Sequence, residues 1–582
     1  MTVKRIEIFI WLGLILLMYA FQYTHWSGLY MDTDNYSYAL RVIEWLKHPS
    51  WFEQKFSMAN YPIGEIKHWT RPMDVLIAVC SAPFLLFEPI KQAVFHGSLL
   101  LTPLILSATV LILLKLSNNI LNLHGRIVLF ALLYVQDCFI KIFAFNRPDH
   151  HALHIFLAVL LFGLLYQYIK SRDERRLICA GVVCAVFIWT AAEGVIPYAL
   201  TLAFLYSGYL LFKYPYSNLQ KFAQACAVSI TFFWLINPPF RGWLFPDNGR
   251  LSVLYVVSLW YVFAAVWLTA KIKSEKLRFV SAVASAVGLT AALWFGGYLA
   301  SPLSEDINEA FVARISEMES GLNPYNLAYP LTALCLWFVL WYKRANREFL
   351  HLSAVFACGY LLLSIWAMRF CCFEAIYTSL IIACWTSGLK LKKISFAFLL
   401  LALMLIEFTA FAINAALKYN LTEQVPTDKI FNIKMFSKYP FKEGSVVTDV
   451  FITPYVMWYA NRPTVASPYH TNIEGIKDNH DILFSNDETK VLQLLLKHKV
   501  KTIIMPWQLH DEKYYVEPKL NCDKLYGKIW GCRNYPQWLT VAEINEHGNY
   551  MVFEINEEII AQILRQKQYK QGNNGKQNLT EP

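Results

Sequence analysis

Residues 146–170 read NRPDHHALHIFLAVLLFGLLYQYIK. One carboxylate and two imidazoles, Asp149, His150 and His151, stand directly before an apolar run that ends on Lys170. A helix crosses the hydrocarbon core of a bilayer with about 20 apolar residues, and the run over 152–170 has that length. The stretch therefore predicts a membrane span with titratable chemistry at one edge and a cation at the other. Outward from it, similar runs fall near 6–23, 92–114, 126–144, 176–192, 194–213, 220–238, 251–270, 279–298, 325–342, 349–367, 370–387 and 393–415, for thirteen predicted spans in all. The 176–213 pair is broken at Ala192-Glu193-Gly194.

Composition supports the same reading. Of 582 residues, 56% are apolar and only 16% charged, against about 25% charged in a soluble domain; mean hydropathy is +0.35. The net charge of +10 does not point to nucleic acid, because the Lys and Arg lie in short clusters between apolar runs, where they act as topology signals. One set of alternate loops holds Lys4/Arg5, Lys115/Arg126, Lys170/Arg172/Arg175/Arg176, Lys213/Lys221, Lys271/Lys273/Lys276/Arg278, Lys343/Arg344/Arg347 and Lys390/Lys392/Lys393. The positive-inside rule makes this set cytoplasmic. The opposite set, 24–91, 145–151, 239–250 and 299–324, carries the carboxylate clusters. The first run lacks a small-residue cleavage site and continues into Trp26 and Tyr30, so it reads as a retained span, not a signal peptide. An odd number of spans with the N-terminus inside places the tail outside.

The expected organisation is a polytopic membrane domain over 1–415, with a large outer loop at 24–91, then a soluble domain over 416–565 and a disordered polar end over 566–582. Within the outer loop, the apolar stretch 74–88 is too short to span and is predicted to lie at the interface. The tail alternates β-like runs (Ser445–Asp449, Lys501–Met505) with a helical stretch (Thr489–His498), which predicts a small α/β or α+β domain. Ten of the twelve Cys lie in apolar stretches; Cys522 and Cys532 lie in the tail, and both a disulfide and two free thiols agree with the sequence.

Four clusters on the predicted outer side carry candidate chemistry. They are Asp32 and Asp34 in LYMDTDNYSYALR; Asp149, His150 and His151; the 299–324 loop with Glu305, Asp306, Glu309, Glu317 and Glu319; and Arg369 in IWAMRFCCFEAIY, followed by Glu374. Asp and His from separate loops suit a divalent cation, and a guanidinium suits phosphate. Each cluster also has a structural reading: helix capping for Asp32, Asp34 and Asp149, a solvated loop for the carboxylates, and a snorkelling anchor for Arg369.

In their order along the chain these motifs resemble the STT3-like family of oligosaccharyltransferase catalytic subunits, of the GT-C glycosyltransferase fold. DTDNYSYALR is similar to the family's first-loop motif, NRPDHHALHIF to the Asp-x-His form of its second acidic motif, and ARISEMES to the short motif whose Glu completes the active site. Where the family carries a WWDYG block this chain has TDVFITP, with Asp449 as its acidic residue, followed by a similar NRPTVA phrase. KHWTRPMD, Lys67–Asp74, is similar to a phrase in uncharacterised bacterial membrane proteins of this superfamily.

The resemblance implies an inner-membrane enzyme with a cytoplasmic N-terminus and a periplasmic C-terminal domain. It implies transfer of a glycan from a polyprenyl-linked phosphate or pyrophosphate donor to a protein or glycan acceptor. It assigns a Mg²⁺ or Mn²⁺ site to Asp34, Asp149 and His151, with Asp32 and His150 in support, catalytic roles to Asp34 and Glu317, and the donor phosphate to Arg369. Asp449, Tyr469 and His470 are candidates in the tail. The missing WWDYG favours one alternative, transfer of a single sugar from a polyprenyl monophosphate to lipid A or another surface glycan; separate alternatives, outside this chemistry, are a lipid-linked glycan transporter or a non-catalytic membrane subunit.

Overall fold

A computed structural model describes residues 5–67, 69–299, 324–343, 346–389, 392, 394–403, 436–469, 471–506, 522–544 and 550–577. Glu317 and its neighbouring loop carboxylates, His470 and the far end of the 393–415 span lie outside the described residues. The chain divides into two units. Among described residues, the first takes 5–52, 69–299 and 324–403, and the second takes 53–67 and 436–577.

The first unit is helical: α1 (Arg5–Thr24), α2 (Thr33–Lys47), α3 (Arg71–Ser81), α4 (Ile90–Asn118), α5 (Leu123–Val135), α6 (Asp137–Ile142), α7 (His150–Ser171), α8 (Arg175–Thr190), α9 (Val195–Phe212), α10 (Ser217–Ile236), α11 (Val253–Ala270), α12 (Glu275–Phe295), α13 (Pro324–Tyr342), α14 (Arg347–Trp366), α15 (Cys371–Ser387) and α16 (Ile394–Leu403). Nine helices among the described residues are long and apolar enough to cross a membrane. The fold is thus a polytopic helical membrane domain. Each of the thirteen predicted runs contains helix. The 126–144 run is split at Gln136 into α5 and α6, and α8, at 16 residues, is shorter than its neighbours.

Burial orders these helices. The α7 span and the span Met368–Ser387 are 72% and 78% buried, whereas α12 buries nothing although it is apolar. An apolar helix with none of its residues buried by protein turns most of its surface to lipid, so α7 and α15 form the centre and α12 the margin. Close approach needs small residues: a Cβ on Gly125 of α5 would lie 2.7 Å from the Ala383 carbonyl of α15.

Neither α2 nor α3 is a span. α3 covers 11 residues, ending inside the interfacial stretch predicted at 74–88. The two are locked by a buried clamp. Arg41 Nε and Nη2 donate to Asp74 Oδ1 at 2.8 and 2.6 Å, and Arg71 Nη1 to Asp74 Oδ2 at 3.1 Å. Arg41 Nη1 also donates to the Trp69 carbonyl at 2.9 Å, which fixes the residue just before α3.

The second unit holds a four-stranded mixed sheet in the order β3-β4-β6-β5: β3 (Ser445–Val447), β4 (Val500–Pro506), β5 (Leu539–Ile544) and β6 (Tyr550–Ile555). β3 runs parallel to β4, and the other pairs are antiparallel. Helices α17 (Ile473–Phe484) and α18 (Glu488–Lys497) contribute Ile482, Leu483, Leu492 and Leu495 to the core beside Ile503 and Phe553. This agrees with the predicted mixed domain, and Cys522 and Cys532 are disulfide-bonded. α19 (Leu525–Trp530) is followed by α20 (Glu557–Gln577), whose Ile560 is fully buried and whose Lys567 donates to Glu488 at 2.8 Å; of the polar end predicted from 566, residues 566–577 are described and lie in this helix, and 578–582 lie outside the described residues.

Part of the predicted first outer loop belongs to this second unit. The hairpin β1 (Lys55–Phe56) and β2 (Glu65–Ile66) is tied to it by Thr464 N–H on the Met58 carbonyl at 2.8 Å and Tyr61 N–H on the Thr464 carbonyl at 3.2 Å. His498 Nδ1 meets the Tyr61 carbonyl at 2.7 Å. Lys67 and Glu65 form an ion pair at 3.1 Å with both side chains fully buried, and Ser467 donates to Glu65.

Candidate functional site

Pro148 breaks the chain before α7, so Asp149 stands at the N-cap with extended backbone. Its side chain accepts no capping hydrogen bond from the helix, so the capping role is not realised and the carboxylate faces the imidazoles. Asp149 Oδ1 is 2.5 Å from His150 Nδ1, and Oδ2 is 3.7 Å from His151 Nε2 and 3.6 Å from Arg147 Nη2. All four side chains are buried. Burial pushes the Asp149 carboxyl up, but the charges of His151, His150 and Arg147 outweigh it and hold the group well below the usual carboxylate range. Donor atoms of Asp149, His150 and His151 lie within 4.8 Å of one another.

His150 is held from above by α2 and the KHWTRPMD phrase. The Tyr38 hydroxyl is 3.1 Å from His150 Nδ1, Tyr38 stacks on Trp69 at 4.2 Å, and the Trp69 ring lies 6.2 Å from that of His150. Burial, then the Asp149 carboxylate and more weakly Asp34, raise the Tyr38 phenol well above its ordinary value, so it stays neutral. One turn into α7, His154 lies edge-on to His150 at 5.3 Å, fully buried. Its Nε2 has no hydrogen-bond partner among the described residues.

The two first-loop carboxylates separate in role. Asp32 caps α2, accepting from Asn35 N–H at 3.3 Å, and its other oxygen is 3.2 Å from Arg147 Nε; the capping reading holds for this residue. Asp34 sits in the first turn of α2, half-buried. It is not among the three residues whose donors converge within 4.8 Å, although its charge and that of Asp149 both act on Tyr38. His150, expected only in support, is inside that group.

Arg369 lies in a short turn, Met368–Phe370, between α14 and α15. Its Nη1 meets Glu193 Oε1 at 2.7 Å, with both side chains partly exposed. Glu193 is in the Ala192–Gly194 turn that breaks α8 from α9. A Cβ on Gly194 would fall 2.6 Å from Ile188 Cα, so only glycine lets the turn press against α8.

In the second unit, Asp449 is buried and accepts from Phe451 N–H at 2.8 Å, and Tyr469 lies under Lys67, whose Nζ is 3.7 Å from the ring centroid. Sequence reasoning missed Tyr38, Arg147, His154 and Glu193 as members of these clusters. Arg147 and His154 stand inside the quoted NRPDHHALHIF, and Glu193 marks the span break.

No protein-family model matches this chain, and no curated protein matches it in sequence. Solved structures do match in fold. The archaeal oligosaccharyltransferase AglB from Archaeoglobus fulgidus, in complex with an inhibitory peptide and a dolichol-phosphate, superposes with a TM-score of 0.61 at 13% identity, over 93% of this chain and 74% of that one. The Archaeoglobus fulgidus oligosaccharyltransferase tethered to an acceptor peptide containing the NVT sequon gives 0.62 at 14%, over 94% and 74%. The same enzyme in complex with Zn and sulfate gives 0.55 at 13%, over 90% and 69%. The chain therefore has the fold of these oligosaccharyltransferases.

Proposed function

We propose that this protein is an oligosaccharyltransferase-like, metal-dependent glycosyltransferase that moves a glycan from a polyprenyl-(pyro)phosphate donor to an acceptor at the extracytoplasmic membrane face. The observation that carries the reading is the buried Asp149, His150 and His151 group at the head of a membrane helix, in a fold whose solved examples include complexes with a dolichol-phosphate and with an acceptor peptide. A carboxylate flanked by two imidazoles has the donor chemistry of a divalent-cation site, and imidazole favours Mn²⁺ over Mg²⁺. Asp149, His150 and His151 would hold the ion, with Asp34 as the second carboxylate nearby. When bound, the cation supplies positive charge against the charge that grows on the leaving phosphate.

The chain's own residues do the rest. Arg369 binds the donor phosphate through its planar fork, and Glu193 holds that fork in place before the donor arrives. Asp34 and Glu317 orient the acceptor nucleophile and take its proton. The bond from the anomeric carbon to the phosphate oxygen breaks as the bond to the acceptor forms, which inverts the anomeric centre. Tyr38 and Trp69 keep the His150 ring fixed, so the carboxylate at its side need not reorganise.

A second reading, transfer of one sugar from a polyprenyl monophosphate to a glycolipid, draws on the tail. Asp449 is spent on its own turn and Tyr469 lies under Lys67, in the segment where the resemblance expects an acceptor-reading block. The test is transfer in reconstituted vesicles with lipid-pyrophosphate oligosaccharide and with lipid-monophosphate sugar as competing donors. Activity with the pyrophosphate donor that disappears in Asp34→Ala and Asp149→Ala supports the first reading; monophosphate-only activity selects the second. Near wild-type transfer in both variants defeats the site assignment.

A further inference from the structure

At the end of α7 opposite to Asp149 lies a second polar feature. α7 has 22 residues, so at about 1.5 Å per residue its ends are about 33 Å apart, the thickness of the hydrocarbon core. A cavity of about 500 Å³ opens there between the last turns of α7 and α9 and the first turn of α14. Lys170, Arg172, Arg347 and Glu348 line it, with apolar walls that include Leu211 and Phe212. The loops that contribute the cations are two that the charge pattern assigns to the cytoplasmic side, and they meet here.

The charges in this cavity do not cancel. Arg172 Nη2 lies 2.6 Å from both oxygens of Glu348, and the Tyr214 hydroxyl donates to Glu348 at 3.0 Å. That pair is self-contained. Lys170 and Arg347 are exposed, and among the described residues neither has a carboxylate within ion-pair distance. Their nearest aromatic companions are Tyr166, 5.7 Å from Lys170, and Trp341, 5.4 Å from Arg347. Two uncompensated cations above an apolar wall, between membrane helices, match an amphiphile with a phosphate head and acyl chains. Leu211 is 59% exposed on the same rim, which leaves an apolar path to lipid.

We propose that this cavity binds the phosphate headgroup of an anionic phospholipid in the leaflet opposite to the Asp149 group, with Lys170 and Arg347 as its ligands. The site is independent of the catalytic reading. The test is native mass spectrometry of the full chain released from bilayers of mixed phosphatidylglycerol and phosphatidylcholine, scoring the ratio of the two lipids retained. Each juxtamembrane cation is worth about fivefold in affinity for an anionic headgroup. The ratio should therefore fall about fivefold in Lys170→Gln and in Arg347→Gln, and about thirtyfold in the double variant. Arg175→Gln, an exposed cation on the same loop outside the cavity, should leave it unchanged. An unchanged ratio in the double variant, or an equal fall in Arg175→Gln, overturns the proposal. Displacement of the lipid by millimolar inorganic phosphate also overturns it, because the site then reads free phosphate.

Discussion

Replacing Lys67 by methionine strips a cation from the interior of the second unit and leaves its other contacts largely in place. Lys67 and Glu65 are 3.1 Å apart with no exposed side-chain surface, and the ammonium also sits 3.7 Å from the Tyr469 ring. Removing one partner of a buried pair costs about 3–5 kcal/mol, because the remaining charge has lost both water and its counter-ion. The loss falls in the lower part of that range, because Ser467 still donates to Glu65. It is expected at about 3–4 kcal/mol, felt where the hairpin 55–66 joins residues 464–469. Native-state hydrogen exchange reads it directly: amides of these two segments should exchange about 10²–10³ faster in Lys67→Met, at about 1.4 kcal/mol per tenfold. The double variant Glu65→Gln with Lys67→Met should recover most of the protection, since replacing a whole buried pair by groups of similar volume is often neutral. Acceleration below tenfold in the single variant, or a double variant as unprotected as the single, refutes the reasoning.

Two further predictions concern other charges. Arg369→Lys keeps the charge and loses the fork, so transfer should fall about ten- to hundredfold, while Glu193→Gln loosens the hold on the Arg369 fork and should raise the KM for donor; steady-state kinetics with varied donor checks both, and an unchanged Arg369→Lys variant contradicts the phosphate role. Asp478 receives hydrogen bonds from His498 and Lys497 at 2.7 and 2.6 Å; burial raises its carboxyl, but these partners prevail and its pKa is lowered. A lowered folded pKa adds stability that is complete above the ordinary carboxylate range and fades as pH falls through the folded value. Asp478→Asn should therefore cost about 1.5–3 kcal/mol at neutral pH and nothing in strong acid, where thermal unfolding curves of variant and wild type converge; a gap that persists into strong acid contradicts it.

Much of this architecture was legible because a bilayer imposes a length on apolar runs. The spans at 152–170 and 370–387 were legible to within a few residues of α7 and α15, since a helix is the structure that satisfies a single apolar segment's backbone within itself in lipid. The split of 126–144 at Gln136 was not, because hydropathy averages over a break that leaves composition unchanged. Asp149, His150 and His151 stood together in the chain and stayed together in space. Asp32 and Asp34 were harder: the same two residues suit a cap and a site, and only the fold shows Asp32 capping α2 and pairing with Arg147. Contacts made across long separations left no periodic mark. Glu193 finds Arg369 through a turn whose visible sign was only a span break, and Trp69 reaches His150 through the Arg41–Asp74 clamp. Residues 53–67 read as ordinary membrane loop, yet they pair with a domain hundreds of residues away.

The central claim is that Asp149, His150 and His151 hold a divalent cation. Titration of the purified full chain with Mn²⁺, followed by electron paramagnetic resonance of the free ion, tests it most directly. The account predicts one tight site per chain in the wild type, loss of that site in Asp149→Asn and weaker binding in His150→Gln. Equal Mn²⁺ affinity in wild type and Asp149→Asn contradicts it.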